Sequence, residues 1–168
     1  MKPKPPKPKT ARREAPPPPR KSSLLVWIVV PLLALALLAQ TDRLRDRLTA
    51  GRMLRQVEMI SLAAMARGQV PRGLFPANLE LLRRASALDP AEVGIPVARG
   101  TQYLLLGNGA SAASAYREAL KMEPRPEIYL NLGRALATAG ETEEARRNFR
   151  LALQLDPRLE SEVPPDMR

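Results

Sequence analysis

The 168-residue chain contains neither cysteine nor histidine, and this absence narrows its chemistry. It excludes thiolate nucleophiles, disulfides and imidazole bases, and it removes the side chains that hold most zinc and haem groups. The sequence also has no glycine-rich phosphate loop and no Gly-x-Ser-x-Gly elbow. We therefore predict that the protein is not an enzyme and has no cofactor and no metal site.

Aromatic residues are scarce as well, at only 4% of the chain, and no segment alternates polar and apolar residues as a half-buried strand would. Alanine and leucine dominate outside the amino-terminal tail. This composition predicts an all-α fold, with one small soluble domain of about 110 residues.

The first 21 residues are rich in lysine, arginine and proline, and they include the run Pro16-Pro17-Pro18-Pro19. Such a tail cannot bury apolar area, so we predict disorder or polyproline II over 1–21. It holds most of the net charge of +10, because the rest of the chain has 19 basic and 16 acidic residues. Since no aromatic residue accompanies these cations, no nucleic acid is expected as a partner. Membrane lipid headgroups are the expected partner of the tail, and a proline-rich ligand for a cytosolic protein is the alternative.

An apolar run without any charge lies between Lys21 and Asp42. About 20 residues in a helix span the hydrocarbon core of a bilayer, and Trp27 suits its interface. We therefore predict a transmembrane helix over 22–40. A cleavable secretory signal is the alternative, because Ala34-Leu35-Ala36 supplies small residues, but the long proline-rich basic region and the length of the run disfavour it.

Basic residues predict the orientation of this helix. Eight of them precede it, and five follow it between Arg43 and Arg55. The excess favours a cytoplasmic amino terminus. We expect a single-pass protein of the inner (cytoplasmic) membrane whose remaining domain is periplasmic or extracytoplasmic.

Small and bulky residues recur about every 33 residues in the second half of the chain. Small residues allow two antiparallel helices to approach closely, and an aromatic side chain fills the space beside them. A glycine ends each first helix, and a proline stops each second helix. The later unit contains Tyr129, Leu132, Gly133, Leu136, Gly140, Ala145, Phe149, Ala152 and Pro157, and the earlier one contains Gly100, Tyr103, Gly107, Ala112, Tyr116, Ala119 and Pro124.

This pattern resembles the tetratricopeptide repeat (TPR). The resemblance implies a short α-solenoid of helix-turn-helix repeats over 59–158, with a degenerate repeat at 59–92 and further repeats at 93–125 and 126–158. The degenerate repeat keeps Leu82 and Ala85 but has an irregular connection over 69–76. A helical linker is expected over 41–58 and a carboxy-terminal tail over 159–168.

In TPR proteins the first helices line a concave face that binds an extended peptide or a helix of another protein. The resemblance implies that Asn131 and Arg134 bond a partner's backbone and carboxylate. The earlier unit offers no lysine or asparagine at the equivalent points, so the carboxylate clamp of chaperone-binding relatives is incomplete. The implied partner-binding residues are Leu130, Asn131, Arg134, Thr138, Val97, Ala98 and Thr101.

The array is short, and prolines after Pro157 prevent a long closing helix. Leu151, Leu153 and Leu155 are therefore expected to stay partly uncovered. Because repeat arrays need at least about three units and caps, we expect burial against a protein partner or a second copy of the chain.

Together these features predict a membrane-anchored TPR scaffold of bacterial envelope type. It would mediate protein-protein interaction or assembly of an envelope or inner-membrane complex. Two alternatives stay open: a structural accessory subunit that uses its transmembrane helix as an interface within a large membrane complex, and a secreted TPR binding module released by signal cleavage.

Overall fold

The computed structural model describes residues 23–67, 71 and 73–167. No strand occurs within these ranges, so the all-α prediction is confirmed there. The predicted basic tail over 1–21 lies outside the described residues. The elements are α1 (Ser23–Ala66), α2 (Leu74–Leu88), α3 (Gly94–Leu105), α4 (Gly109–Met122), α5 (Pro126–Thr138), α6 (Thr142–Leu155) and two 3-10 helices, Pro157–Glu162 and Pro165–Met167.

The chain divides after Gln40 into two compact units. In the first unit, α1 carries exposed apolar side chains from Trp27 to Leu38 and contains Pro31. Within the described residues, α1 is the one helix long and apolar enough to cross a membrane, a test that a signal sequence also passes. The transmembrane helix over 22–40 therefore stays a prediction.

The second unit contains the helix pairs α3–α4 and α5–α6. Gly107 and Gly140 follow α3 and α5 with φ angles of +72° and +84°, so both glycines end first helices as predicted. Pro124 and Pro157 follow α4 and α6, which end at Met122 and Leu155. These four residues fix the lengths of the repeating helices.

Each pair is closed by a glycine against an aromatic ring. A Cβ atom on Gly133 would lie 2.7 Å from the Phe149 ring, and one on Gly100 would lie 2.7 Å from the Tyr116 ring. Both rings are fully buried. The predicted pattern of small against bulky residues is therefore the packing between the two helices of each pair.

The predicted irregular connection over 69–76 is too long. Helix α2 begins at Leu74, and Pro76 is its third residue. Proline is tolerated there because the first backbone N–H groups of a helix have no intrahelical partner. Residues 68–70 and 72 lie outside the described part of the chain.

The stretch 41–58, predicted as a linker, contributes to the core of the second unit. Ala50 and Val57 are buried with Leu82, Ala85 and Ile95. Leu44, Leu48 and Met59 of the same helix stay exposed. Some of the apolar residues that recur at helical spacing before residue 59 therefore pack against α2 and α3.

The carboxy-terminal segment, defined as Pro157–Met167, closes the unit at α6. No long helix forms in it, as predicted from its prolines, and it folds into two short 3-10 helices instead of a plain tail. Leu159 and Val163 nevertheless enter the core. Leu151 and Leu155 remain 42% and 57% exposed, which confirms that this face is partly uncovered.

Candidate functional site: an apolar groove between two helices

A groove between α1 and α3 encloses about 270 Å³. Positions three and four apart lie on the same face of a helix, so successive turns of each helix supply its walls. Three of the predicted partner-binding residues, Val97, Ala98 and Thr101, belong to this lining. The α1–α3 groove is lined by Val57, Glu58, Ser61, Leu62 and Met65 of α1 and by Val97, Ala98, Thr101 and Gln102 of α3.

The open rim of the α1–α3 groove is largely apolar. Leu62 and Met65 are 61% and 46% exposed although both side chains are large and hydrophobic. Methionine adapts its conformation to irregular apolar surfaces, which suits a wall that receives a ligand. Glu58 is the charged residue of the lining, and it makes no ion pair within the described residues.

The floor of the groove is polar and buried. Asn78 of α2 donates from Nδ2 to Ser61 Oγ at 3.2 Å and to Gln102 Oε1 at 3.0 Å. Gln102 Nε2 donates to Ser61 Oγ at 3.1 Å. Because an unpaired buried amide is costly, these three residues, the polar triad, hold α1, α2 and α3 in one register.

Beyond the groove, a hydrogen bond joins α3 to α4. Thr101 Oγ1 lies 3.1 Å from the Tyr116 hydroxyl. Burial raises the pKa of Tyr116, and the Thr101 hydrogen bond and the nearby Arg134 cation partly oppose this. Tyr116 is thus a neutral phenol near pH 7, with Thr101 and Arg134 beside it.

Arg134, predicted to bond a partner's carboxylate, bonds a carboxylate of its own chain. Its Nη2 donates to Glu162 Oε2 at 2.9 Å and to Glu162 O at 3.2 Å. Its Nη1 donates to Asn131 Oδ1 at 3.2 Å. The side chains of Arg134 and Glu162 are 38% and 50% exposed, so water screens the pair.

The remaining predicted site residues lie away from the groove lining. The Thr138 hydroxyl donates to Arg134 O at 2.9 Å within α5. Leu130 is only 2% exposed and belongs to the apolar core around Phe149. Leu130 is therefore a core residue and is not exposed to a partner.

The sequence-based site omitted the α1 wall and the carboxy-terminal segment. Leu62 and Met65 stand three residues apart, and this signal could have placed both on one face of α1. The repeat pattern is interrupted between α1 and α2, so the sequence did not indicate that Leu62 and Met65 lie opposite α3. Glu162 had no signal in the sequence, because its role depends on how the segment after α6 turns.

A second cavity, of about 430 Å³, lies between α2 and α3. Arg83 and Arg99 line it, but Arg83 is paired with Glu80 at 2.8 Å and Arg99 is paired with Glu118. A ligand would have to displace Glu80 or Glu118 before it could bind either cation. Within the described ranges, no group of three or more carboxylates is placed to hold a metal ion.

Comparisons with known proteins identify the repeat. The family described as "Tetratricopeptide repeat" matches residues 126–159, which cover α5, α6 and the start of the carboxy-terminal segment. None of the curated protein sequences matches the chain.

Solved structures share the fold more widely. The second TPR of Spaghetti (RPAP3), bound to the HSP90 peptide SRMEEVD, has a TM-score of 0.58 at 18% identity, covering 69% of this chain and 99% of that one. TTC0263, a thermophilic TPR protein of Thermus thermophilus, has a TM-score of 0.57 at 26% identity, covering 82% and 70%. A mutant O-GlcNAc transferase of Thermobaculum terrenum has a TM-score of 0.56 at 24% identity, covering 67% of this chain and 20% of the enzyme.

Proposed function

We propose that this tetratricopeptide-repeat protein is a membrane-anchored scaffold that holds a segment of a partner protein in the α1–α3 groove. The observation that carries the proposal is the groove itself, with its exposed apolar rim and its buried polar triad. Concave apolar sites with a few placed polar groups are the usual form of a binding site. Exposed Leu62 and Met65 supply the apolar area that a docked segment would cover.

The solved relatives support a role in protein binding. The second TPR of Spaghetti is bound to a peptide of HSP90, which shows that this fold can present a peptide-binding face. A fold alone does not fix a partner, so the argument for this chain depends on its own groove. No catalytic step is part of the proposal.

The anchor belongs to the proposal as well. An uncharged apolar stretch long enough to span a bilayer precedes the repeat unit, and basic residues are in excess before it. We place the amino terminus in the cytoplasm and the repeats on the other side of a bacterial inner membrane. There the scaffold would assemble an envelope complex.

Site-specific photo-crosslinking tests the docking proposal in the native membrane. Benzoylphenylalanine at Leu62 is expected to give a defined crosslinked product, because this exposed side chain lines the groove. The same probe at Ser114, an exposed residue of α4, is the matched control. Equal products from both positions, or none from Leu62, would contradict docking in the groove.

The natural absence of cysteine makes the topology testable with single cysteines. Ser114→Cys should react with a membrane-impermeant maleimide added from the periplasmic side, whereas Lys9→Cys should react only after lysis. The reverse labelling would overturn the orientation. An intact mass below the 18.5 kDa of the full chain would instead indicate cleavage of the apolar stretch.

A further inference from the structure

The charges around the α1–α3 groove carry an inference about its partner. We infer that the docked segment is apolar and carries a lysine or arginine beside its anchoring side chain, and that it is not an acidic segment. This rests on the proposed function, since it specifies the chemistry of the segment that the groove holds.

Arg134 is the one cation among the predicted partner-binding residues, and its own chain occupies it. All three hydrogen bonds described above for the Arg134 guanidinium go to its own chain, to Asn131 and to two oxygens of Glu162. The equivalent position in α3 is Thr101, whose hydroxyl faces Tyr116. An acidic partner would therefore have to displace Glu162 while Val163, the next residue, stays buried in the core.

The lining of the α1–α3 groove contains an anion. Glu58 is exposed in the groove lining and has no ion pair within the described residues. Leu62 stands one helical turn further along α1, so an apolar anchor on Leu62 brings its neighbouring residue within reach of the Glu58 carboxylate. A cation at that point gains an ion pair, whereas a carboxylate meets a like charge.

The peptide bound by the second TPR of Spaghetti differs in this respect. Its sequence, SRMEEVD, contains three acidic residues and one arginine, so its side chains are acidic on balance. In the present chain, a carboxylate occupies the groove rim and another already neutralises Arg134. The same fold can therefore carry a different charge preference here, because a few surface residues set specificity independently of packing.

Peptide selection tests the preference directly. The full chain, reconstituted in lipid nanodiscs, is exposed to a library of 12-residue peptides with leucine at two positions four apart and all other positions randomised. Half of the library has an amidated carboxy terminus and half has a free one. Enrichment of lysine and arginine next to a leucine, equally strong in both halves, is the expected result.

Two variants connect the selection to the groove. Glu58→Gln should weaken binding of the best basic peptide about two- to fivefold, the range of one exposed ion pair, and should not change binding of its norleucine-substituted form. Asp46→Asn is the matched control, since Asp46 is an exposed carboxylate of the same helix outside the lining. Leu62→Ser should weaken both peptides.

The outcomes separate the two levels of the proposal. Enrichment of acidic residues or of free carboxy termini, or no charge preference at all, would overturn the inference while the docking role stood. Equal weakening by Glu58→Gln for the basic and norleucine peptides would overturn it as well. If no peptide were retained, or if Leu62→Ser changed nothing, docking in the groove would itself fail.

Discussion

The two halves of the repeat unit, α1–α3 from residue 41 onward and α4–α6 with the carboxy-terminal segment, solve the same packing problem differently. The later half is closed by the Phe149 ring against Gly133 and by Val163 from the segment after α6. The earlier half joins its helices through a small apolar cluster and the polar triad, and it leaves Leu62 and Met65 exposed.

The difference teaches where a binding surface can arise in a repeat protein. The contact between α5 and α6 is closed by apolar side chains around Phe149, although Leu151 and Leu155 on α6 stay exposed. Directional hydrogen bonds can fix three helices while burying less apolar surface, so the helices beside the triad keep an open groove. The proposed docking surface accordingly lies where the repeat pattern is weakest.

The most damaging change to the closed half is Phe149→Ala. It removes a fully buried ring opposite Gly133 and should cost about 3–5 kcal/mol of unfolding free energy, because no neighbour can fill the cavity. Urea unfolding of the full chain in micelles, followed by circular dichroism, measures the loss. Leu155→Ala, at a 57% exposed leucine of the same helix, should cost less than about 0.5 kcal/mol. Similar losses of unfolding free energy for both variants would mean that the Phe149 ring does not close the later half.

The matching change in the open half is Asn78→Ala. It leaves Ser61 and Gln102 without two of their hydrogen bonds and should cost about 1–3 kcal/mol. Replacing all three members of the polar triad by apolar residues of similar size should cost less than the single change, because no buried group is then orphaned. The same unfolding experiment measures the loss of unfolding free energy in both variants. Asn131→Ala, at a half-exposed asparagine, is the control. A triple variant less stable than Asn78→Ala would contradict this account of the triad.

Tyr116, which joins the two halves through Thr101, should respond to pH. Tyr116→Phe loses one hydrogen bond, worth about 0.5–1.5 kcal/mol at pH 7. Because burial raises the pKa of the folded phenol, the wild-type protein should lose stability as the pH rises above 10 through that higher pKa. The phenylalanine variant has no such titration. The difference in unfolding free energy between the two proteins should therefore shrink from pH 7 to pH 11, and a constant difference would contradict a buried neutral phenol.

The sequence predicted the closed half well and the open half poorly. Gly133, Phe149 and Gly140 have counterparts at the same offsets in the earlier repeat because each has a local structural role. Gly133 allows close approach of two helices, Phe149 fills the space beside it, and Gly140 forms the turn. The hydrogen bond between Asn78 and Gln102 joins residues 24 positions apart and leaves no periodic trace. The same holds for Glu162 on Arg134, which depends on the path of the chain after α6.

The smallest expected effect concerns Glu80, on α2 of the open half. Hydrogen bonds from Arg83 and Arg84 lower the pKa of its carboxyl from 4.5 to about 2. Its contribution is therefore present above the unfolded pKa and is lost as the pH falls from about 4.5 towards 2. A ¹³C titration of the carboxyl should give the low midpoint, and Arg83→Gln should raise it.

The contribution of the Glu80 carboxylate to the unfolding free energy should still be small, since the group is solvent-exposed and its ion pairs are screened. Comparison of wild type with Glu80→Gln across this pH range isolates the contribution from that of other carboxyls. If the Glu80→Gln difference exceeded the loss in Asn78→Ala, surface charge and not the polar triad would hold the open half. The groove walls would then loosen with added salt, because screening weakens exposed pairs and leaves buried hydrogen bonds intact.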